Sequence, residues 1–281
     1  MNGAGEPVYV GRDFGGRSLE VDRELVEHYT EAVQDHQEIY DDLAPALLLH
    51  SECYRDLSWY LANIYGNLHA RQEWEFFRTV DMGSTLTTRG FIRNRYRKRG
   101  RDYVVKETWV LDEEGRLVNR GLTHQSFLIA EQSEGTVVDK ARESKSGRRF
   151  DFKDSGGRVL EPVRKHVTEE MCMAFSGPVE NYHTSRQAAL ALGFPDIVVQ
   201  GMLPICFVSE LMTRDFGQGW LAGGNMDLRL VNVLWGGEKV IAGAQVTGET
   251  AEAGRTRVVL NTWVDKEDGT RVIVGTASAL A

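Results

Sequence analysis

A chain of 281 residues can hold one large domain or two smaller ones, and its 42% apolar share suffices for a sizeable core and gives no sign of disorder. The formal net charge of −8 argues against a nucleic-acid binder, because phosphate neutralisation needs a basic face that the overall balance lacks. Cys53, Cys172 and Cys206 are odd in number and widely spaced, which suits reduced core thiols in a reducing compartment.

The opening stretch MNGAGEPVYVGRDFGG lacks the charged-then-apolar build of a signal peptide, and no apolar run approaches bilayer length. A soluble, cytoplasmic protein with no membrane contact is therefore expected. GAGEPVYVG and DFGGRS make neither a P-loop nor a dinucleotide fingerprint, and no Gly-x-Ser-x-Gly elbow occurs. His28, His36, His50 and His69 do not form a metal-ligand cluster by spacing. No metal and no cofactor are expected.

The first helix is predicted from about Ala46 to Tyr65, with Leu57, Tyr60, Leu61, Ile64 and Tyr65 as its apolar stripe, Asp56 as N-cap and Gly66 as stop. Three strand-like segments follow: EWEFFRTV, STLTTRGFIRNRYRKRG and RDYVVKETWV. Within them Arg89, Arg93, Arg95, Arg97, Arg99 and Arg101 occupy odd positions, which a single strand would place along one face. A solvated outer face is the plain explanation, and a phosphate contact is the functional one. The charged, Gly- and Ser-rich stretch EQSEGTVVDKARESKSGRRFDFKDSGGRV then serves as a connection.

Beyond it a second helix is predicted from Gly201 to about Arg214. Met202, Leu203, Ile205, Cys206, Phe207, Val208, Leu211 and Met212 leave it almost no polar face, so other structure must wrap it. The strands NMDLRLVNVLW, EKVIAGAQVTGET and TRVVLNTWV follow. ETWVLDEEGRLV also repeats as NTWVDKEDGTRVI: Thr108, Trp109, Val110, Glu113 and Gly115 face Thr262, Trp263, Val264, Glu267 and Gly269. Each copy predicts a strand, an acidic turn closed by glycine and a further strand. Helix first, then an antiparallel meander, is written twice.

This repeat, together with HTSRQAALALGFPDIVVQGMLPICFVSELM, resembles the MaoC-like dehydratase and (R)-specific enoyl-CoA hydratase family over nearly the whole chain. The resemblance implies an α+β double hotdog, two antiparallel sheets each wrapping a central helix. Residues 1–130 would form an N-terminal hotdog with a degenerate motif, 131–160 the connection, and 161–281 a C-terminal hotdog carrying the site. The family motif runs roughly Ser-Gly-Asp-x-Asn-Pro-Leu-His, followed by His-Gly-Met at the helix start. Its aspartate and histidine hold a water while the helix N-terminus polarises a thioester carbonyl.

Here Ser176 and Gly177 match the opening of the motif and His183 its histidine, but Pro178 stands at the aspartate position, Glu180 at the asparagine, and Asn181 and Tyr182 replace Pro-Leu. Gln200, Gly201 and Met202 stand where the family has His-Gly-Met. In the first half, QDHQEIY places Asp35 at the aspartate position and Tyr40 at the histidine. Each half keeps a different member of the pair, at places the resemblance makes separate.

Three catalytic candidates follow. His183 can accept and donate a proton near neutral pH. Glu180 is the nearest carboxylate by sequence, with a plain surface glutamate as the other reading. Gly201 begins the helix whose free N–H groups could hold an oxyanion, Pro204 sitting early in the first turn where its missing N–H costs nothing. Ser176, Tyr182, Phe194, Val198, Gln200 and Met202 are the substrate-binding candidates, Phe194 and Val198 suiting an acyl chain.

What the resemblance implies is a hydratase or dehydratase, a carbon–oxygen lyase, acting as a homodimer on an acyl-CoA or acyl-carrier thioester. The arginine run would then meet the phosphates of that carrier. Two alternatives stay open: a non-catalytic hotdog subunit that binds acyl thioesters, and a thioesterase or cyclase on the same fold.

Overall fold

The computed structural model describes residues 9–55, 68–128, 152 and 154–281. In chain order these form β1 (Asp13–Glu20), α1 (Arg23–Val33), two 3-10 turns (Glu38–Asp41 and His50–Cys53), β2 (Leu68–Phe76), β3 (Thr85–Lys98), β4 (Arg101–Leu111) and β5 (Leu117–Leu128). The second series is β6 (Val163–His166), α2 (Glu169–Ser176), α3 (Arg186–Ala191), α4 (Met202–Phe216), α5 (Gln218–Leu221), β7 (Asn225–Leu230), β8 (Lys239–Glu252), β9 (Arg255–Lys266) and β10 (Arg271–Leu280).

The strand order is β1-β3-β4-β5-β2-β7-β10-β9-β8-β6, with every neighbouring pair antiparallel. Read outward from the centre, the two halves have the same plan. The repeated hairpins are the β4–β5 and β9–β10 connections, where Gly115 (φ 74°) and Gly269 (φ 81°) take the left-handed conformation that glycine adopts without strain. The sequence implied two sheets packed edge to edge, and the structure joins them into one continuous ten-stranded sheet. Each unit ends in a strand with an unpaired edge, and β2 and β7 satisfy each other's backbone along Arg71–Glu75 and Asn225–Arg229. Arg71 seals the seam with two hydrogen bonds of 2.6 Å to Asp227.

Helix α4 starts one residue after Gly201 and is buried nearly all round, from Met202 through Ser209 and again at Leu211, Met212 and Thr213. It packs on β6, β8, β9 and β10, so the C-terminal half of the sheet wraps it as its apolar surface requires. In the N-terminal half, residues 46–55 are turns and the 3-10 segment His50–Cys53, not the predicted helix. Leu47, Leu48 and Leu49 are all buried although consecutive, which a one-faced helix could not achieve. The predicted stripe Leu57–Tyr65, with its cap Asp56 and stop Gly66, lies outside the described residues.

Helix α1 was not anticipated. Asp22 caps it by accepting from the Leu25 N–H at 2.8 Å, and the helix packs against α2. The arginine run does not keep one face, because a register shift between Ile92 and Asn94 interrupts β3 and Arg101 belongs to the returning strand. Arg95 and Arg97 share Asp102, Arg93 pairs with Glu107, and Arg101 donates to Ser126. The three cysteines are free and buried. Among the described residues, no helix is long and apolar enough to cross a membrane.

Candidate active site

The loop from Ser176 to Ser185 joins α2 to α3, and its shape comes from Asn181. The Asn181 Oδ1 accepts the His183 N–H at 2.8 Å, its Nδ2 donates to the Val179 carbonyl at 2.8 Å, and its carbonyl accepts the Thr184 and Ser185 N–H groups at 3.0 Å. An asparagine bonding its own backbone neighbourhood is a turn-forming device. The residue replacing the proline of the family motif thus holds the histidine in place.

His183 is partly buried, and its Nδ1 lies 2.6 Å from the Val198 carbonyl oxygen. A carbonyl only accepts, so Nδ1 carries the proton and Nε2 keeps its lone pair. Burial pushes the imidazole down to about 4. It is therefore a neutral acceptor across physiological pH. The Val198 N–H returns a bond of 3.1 Å to the Tyr182 carbonyl, and the Tyr182 ring lies 4.0 Å from that of His183 and 5.5 Å from that of Phe194. His183, Tyr182, Phe194 and Val198 are thus brought together.

Val198 stands three residues before Gly201, a reach of roughly 10 Å at most. Gln200 accepts the Leu203 N–H at 2.9 Å and so begins the turn into α4. The Met202 side chain is fully enclosed in the core, which leaves only its backbone N–H to face a ligand. Ser176 is the last residue of α2. Glu180 is exposed, and its Oε1 accepts the Ser185 hydroxyl at 2.7 Å. Ser185 in turn caps α3 through the Ala188 N–H at 3.4 Å.

Gly201 meets something the sequence did not foretell. A Cβ built on it would lie 2.8 Å from His69 Nδ1 and 2.7 Å from Leu230 Cδ2. His69 is at the start of β2, in the other half of the chain. Its Nδ1 is 2.7 Å from the Tyr54 hydroxyl and its Nε2 is 3.0 Å from Gln72 Oε1. Burial pushes this imidazole also down to about 4. No local pattern marks Tyr54 or His69. By spacing His69 belongs to no metal-ligand cluster, and it is the β2–β7 pairing that carries it to the α4 start.

The first-half motif is closed on itself. Asp35 is 2% exposed, accepting Tyr40 O–H at 2.9 Å on one oxygen and Gln37 Nε2 at 2.8 Å on the other. Burial raises the Asp35 carboxyl and pushes the Tyr40 phenol well above its usual value. A separate shallow cleft, lined by Leu48, Phe76, Arg78, Val80, Asn119 and Leu221, lies at the far end of β2 from His69. Seven residues of strand separate the two ends, about 23 Å.

No protein-family model matches the chain, and no curated protein matches it. Solved structures do. A MaoC-like dehydratase superposes with a TM-score of 0.75 at 16% identity, covering 96% of this chain and 98% of its own. A MaoC-like dehydratase from Phytophthora capsici gives 0.69 at 16% identity, covering 96% and 95%. A conserved hypothetical protein of Mycobacterium tuberculosis, described as a double hotdog, gives 0.66 at 16% identity, covering 97% and 96%. The chain has the double hotdog fold of MaoC-like dehydratases.

Proposed function

We propose that the chain is a hydratase or dehydratase acting on an enoyl or 3-hydroxyacyl thioester, with the C-terminal unit carrying the site. The observation that supports this most directly is the His183 tautomer: Nδ1–H is committed to the Val198 carbonyl and Nε2 is left as an acceptor. In the hydration direction, Nε2 takes a proton from water as the water oxygen bonds to the β-carbon. The same proton is then delivered to the α-carbon, so one O–H breaks while one C–O and one C–H form. The electron pair of the double bond rests meanwhile on the thioester oxygen, for which the N–H groups at the start of α4 are the donors.

Glu180 is the carboxylate available to orient the water, and to do so it must share its Ser185 partner or leave it. That tie, together with Pro178 at the aspartate position, favours a second reading in which the unit binds acyl thioesters without turning them over. A thioesterase would use the same His183 to drive water onto the carbonyl instead. Crotonyl-CoA and trans-2-octenoyl-CoA separate the three. Loss of the enoyl absorbance without release of thiol supports the hydratase, thiol release supports the thioesterase, and binding without either change supports the non-catalytic subunit. In a hydratase, Glu180→Gln should lower kcat about 10²-fold, the scale of a positioned acid–base group. Full activity in that variant would leave His183 working without a carboxylate.

A further inference from the structure

We infer that the tip of the β3–β4 hairpin, residues 93–102, is a docking surface for an acidic carrier protein, which delivers the acyl group on its phosphopantetheine arm. This rests on the thioester reading of the site, and it makes the N-terminal unit a contributor to the C-terminal one.

The repeat supplies an internal control. The β3–β4 and β8–β9 hairpins match position for position: each carries a register shift, between Ile92 and Asn94 and between Val246 and Gly248, and each turns through two left-handed residues, Arg99 (φ 52°) with Gly100 (φ 71°) and Ala253 (φ 48°) with Gly254 (φ 82°). The shape is shared and the charge is not. In the first tip Arg93, Arg95, Arg97, Lys98, Arg99 and Arg101 stand against Asp102, whereas over the equivalent positions of the second Glu249 and Glu252 outnumber Arg255. The tips also lie at opposite ends of the sheet. Ser126 pairs with Leu68, the neighbour of His69, and with Tyr103, which pairs with Tyr96, so the basic tip is at the end where His69 meets Gly201. The other tip begins beyond the Arg257–Leu280 pair, past Ser278, whose partner Asn225 lies opposite Glu75 at the far end of β2. Solvation alone gives no reason for two tips of one shape to differ in this way.

Distance and exposure identify the occupant. His69 pairs with Gln125, Gln125 with Val104, and Val104 with Arg95. Paired residues share a face, and three ladder steps of about 4.8 Å put Arg95 roughly 14 Å from His69 on the same face of the sheet. A phosphopantetheine arm runs about thirteen bonds from sulfur to phosphorus, comparable to about four residues of extended chain, or roughly 15 Å. A thioester at the start of α4 therefore brings the phosphate of its arm to this hairpin. There the cations spread rather than converge. Arg97 and Lys98 are successive strand residues and face opposite sides, Lys98 and Arg99 are exposed, and the side chains of Arg93 and Arg97 are 66% and 71% exposed. One carboxylate, Asp102, serves both Arg95 and Arg97. The Tyr96 and Tyr103 rings, stacked at 4.9 Å, stiffen the hairpin that carries this charge. Charge distributed around an exposed tip suits a broad acidic protein surface, whose approach it steers, better than a small molecule's phosphates, which take converging donors.

The test gives the first tip the charges of the second. Arg95→Glu, Lys98→Glu and Arg99→Ala together copy the residue types of Glu249, Glu252 and Ala253, which the same turn already accommodates. Calorimetry on wild type and triple variant compares a butyryl-loaded acidic acyl-carrier protein with butyryl-CoA, both saturated thioesters that cannot be hydrated. The expected result is that the variant binds the butyryl carrier about tenfold more weakly or worse at low salt, and butyryl-CoA within about twofold of wild type, while wild-type affinity for the carrier falls as salt is raised. Unchanged carrier binding in the folded variant overturns the docking surface, as does a wild-type protein that binds butyryl-CoA and not the carrier; both leave the thioester reading standing. Equal weakening for the two ligands makes the tip a phosphate seat and overturns the protein partner. Binding of neither ligand by wild type overturns the thioester reading, and the docking surface with it. If the triple variant does not fold, Lys98→Glu alone must weaken the carrier by about threefold and leave butyryl-CoA unchanged, and carrier binding equal to wild type overturns the proposal.

Discussion

The two units have one strand plan, yet their motif loops have opposite fates. In the second, Asn181 ties up the backbone so that His183 is held by one nitrogen and left open at the other. In the first, Asp35 and Tyr40 spend their bonding capacity on each other and on Gln37, beneath a surface that leaves Asp35 2% exposed. A proton-transfer group needs an unspent lone pair with access to a ligand, and position in a repeat guarantees neither. The largest test of this contrast is a pair of substitutions. His183→Ala should reduce turnover of an accepted enoyl thioester by at least 10²-fold, while Asp35→Asn should leave turnover within about twofold and lower the melting temperature instead. Loss of turnover in Asp35→Asn with stability intact would move the site to the other unit.

The parts of the fold that were legible in the sequence are those specified by local pattern. Turn glycines at 115 and 269 with β-rich flanks marked the hairpins, and the nearly all-round apolar surface of Met202–Met212 marked a wrapped helix to within a residue at its start. Helix α1 also carries a local pattern, in the Asp22 cap and the buried spacing Val26, Tyr29, Thr30 and Val33. That the two sheets meet edge to edge was expected; what could not be read was which strands meet and which side chains that pairing brings together. The β2–β7 seam is made by backbone edges, which carry no side-chain signature, and only that seam brings His69 against Gly201. Of the candidate site, the cluster of His183, Tyr182, Phe194 and Val198 was visible as a motif neighbourhood. The Asn181 turn and the Val198 carbonyl as the histidine's partner were not, because backbone acceptors leave no trace in sequence.

Gly201 sharpens the comparison, since it is the point where one unit touches the site of the other. The sequence suggested a glycine that starts a helix with free N–H groups, and the structure packs the His69 imidazole against its Cα. Gly201→Ala should therefore cost about 1–3 kcal/mol, because a Cβ 2.8 Å from His69 Nδ1 and 2.7 Å from Leu230 forces both to move. Denaturant unfolding measures it. A variant as stable as the wild type would mean that His69 swings aside freely and does not anchor the start of α4.

The smallest expected effect is on pH, where the first unit's closed motif meets the second unit's helix. Glu210, on α4, is pushed up to about 7 by burial and by the neighbouring Asp35 charge, against the opposing pull of Lys165, whose Nζ is 2.8 Å from Oε2, and of Arg214. A carboxyl whose folded value is raised binds its proton more tightly folded than unfolded. Its contribution to stability is fully present below the unfolded value near 4.5 and is lost as pH rises through about 7. The imidazoles of His50, His69 and His183 act in the other direction. Each is depressed by burial to about 4, so their contribution is present above 6.5 and is lost as pH falls toward 4. The melting temperature should therefore drop steeply on the acid side and by only a few degrees between pH 6 and 8. Glu210→Gln should flatten the shallow alkaline slope while leaving the acid limb in place. An alkaline slope unchanged in Glu210→Gln would assign it to a group other than the carboxyl at this junction of the two units.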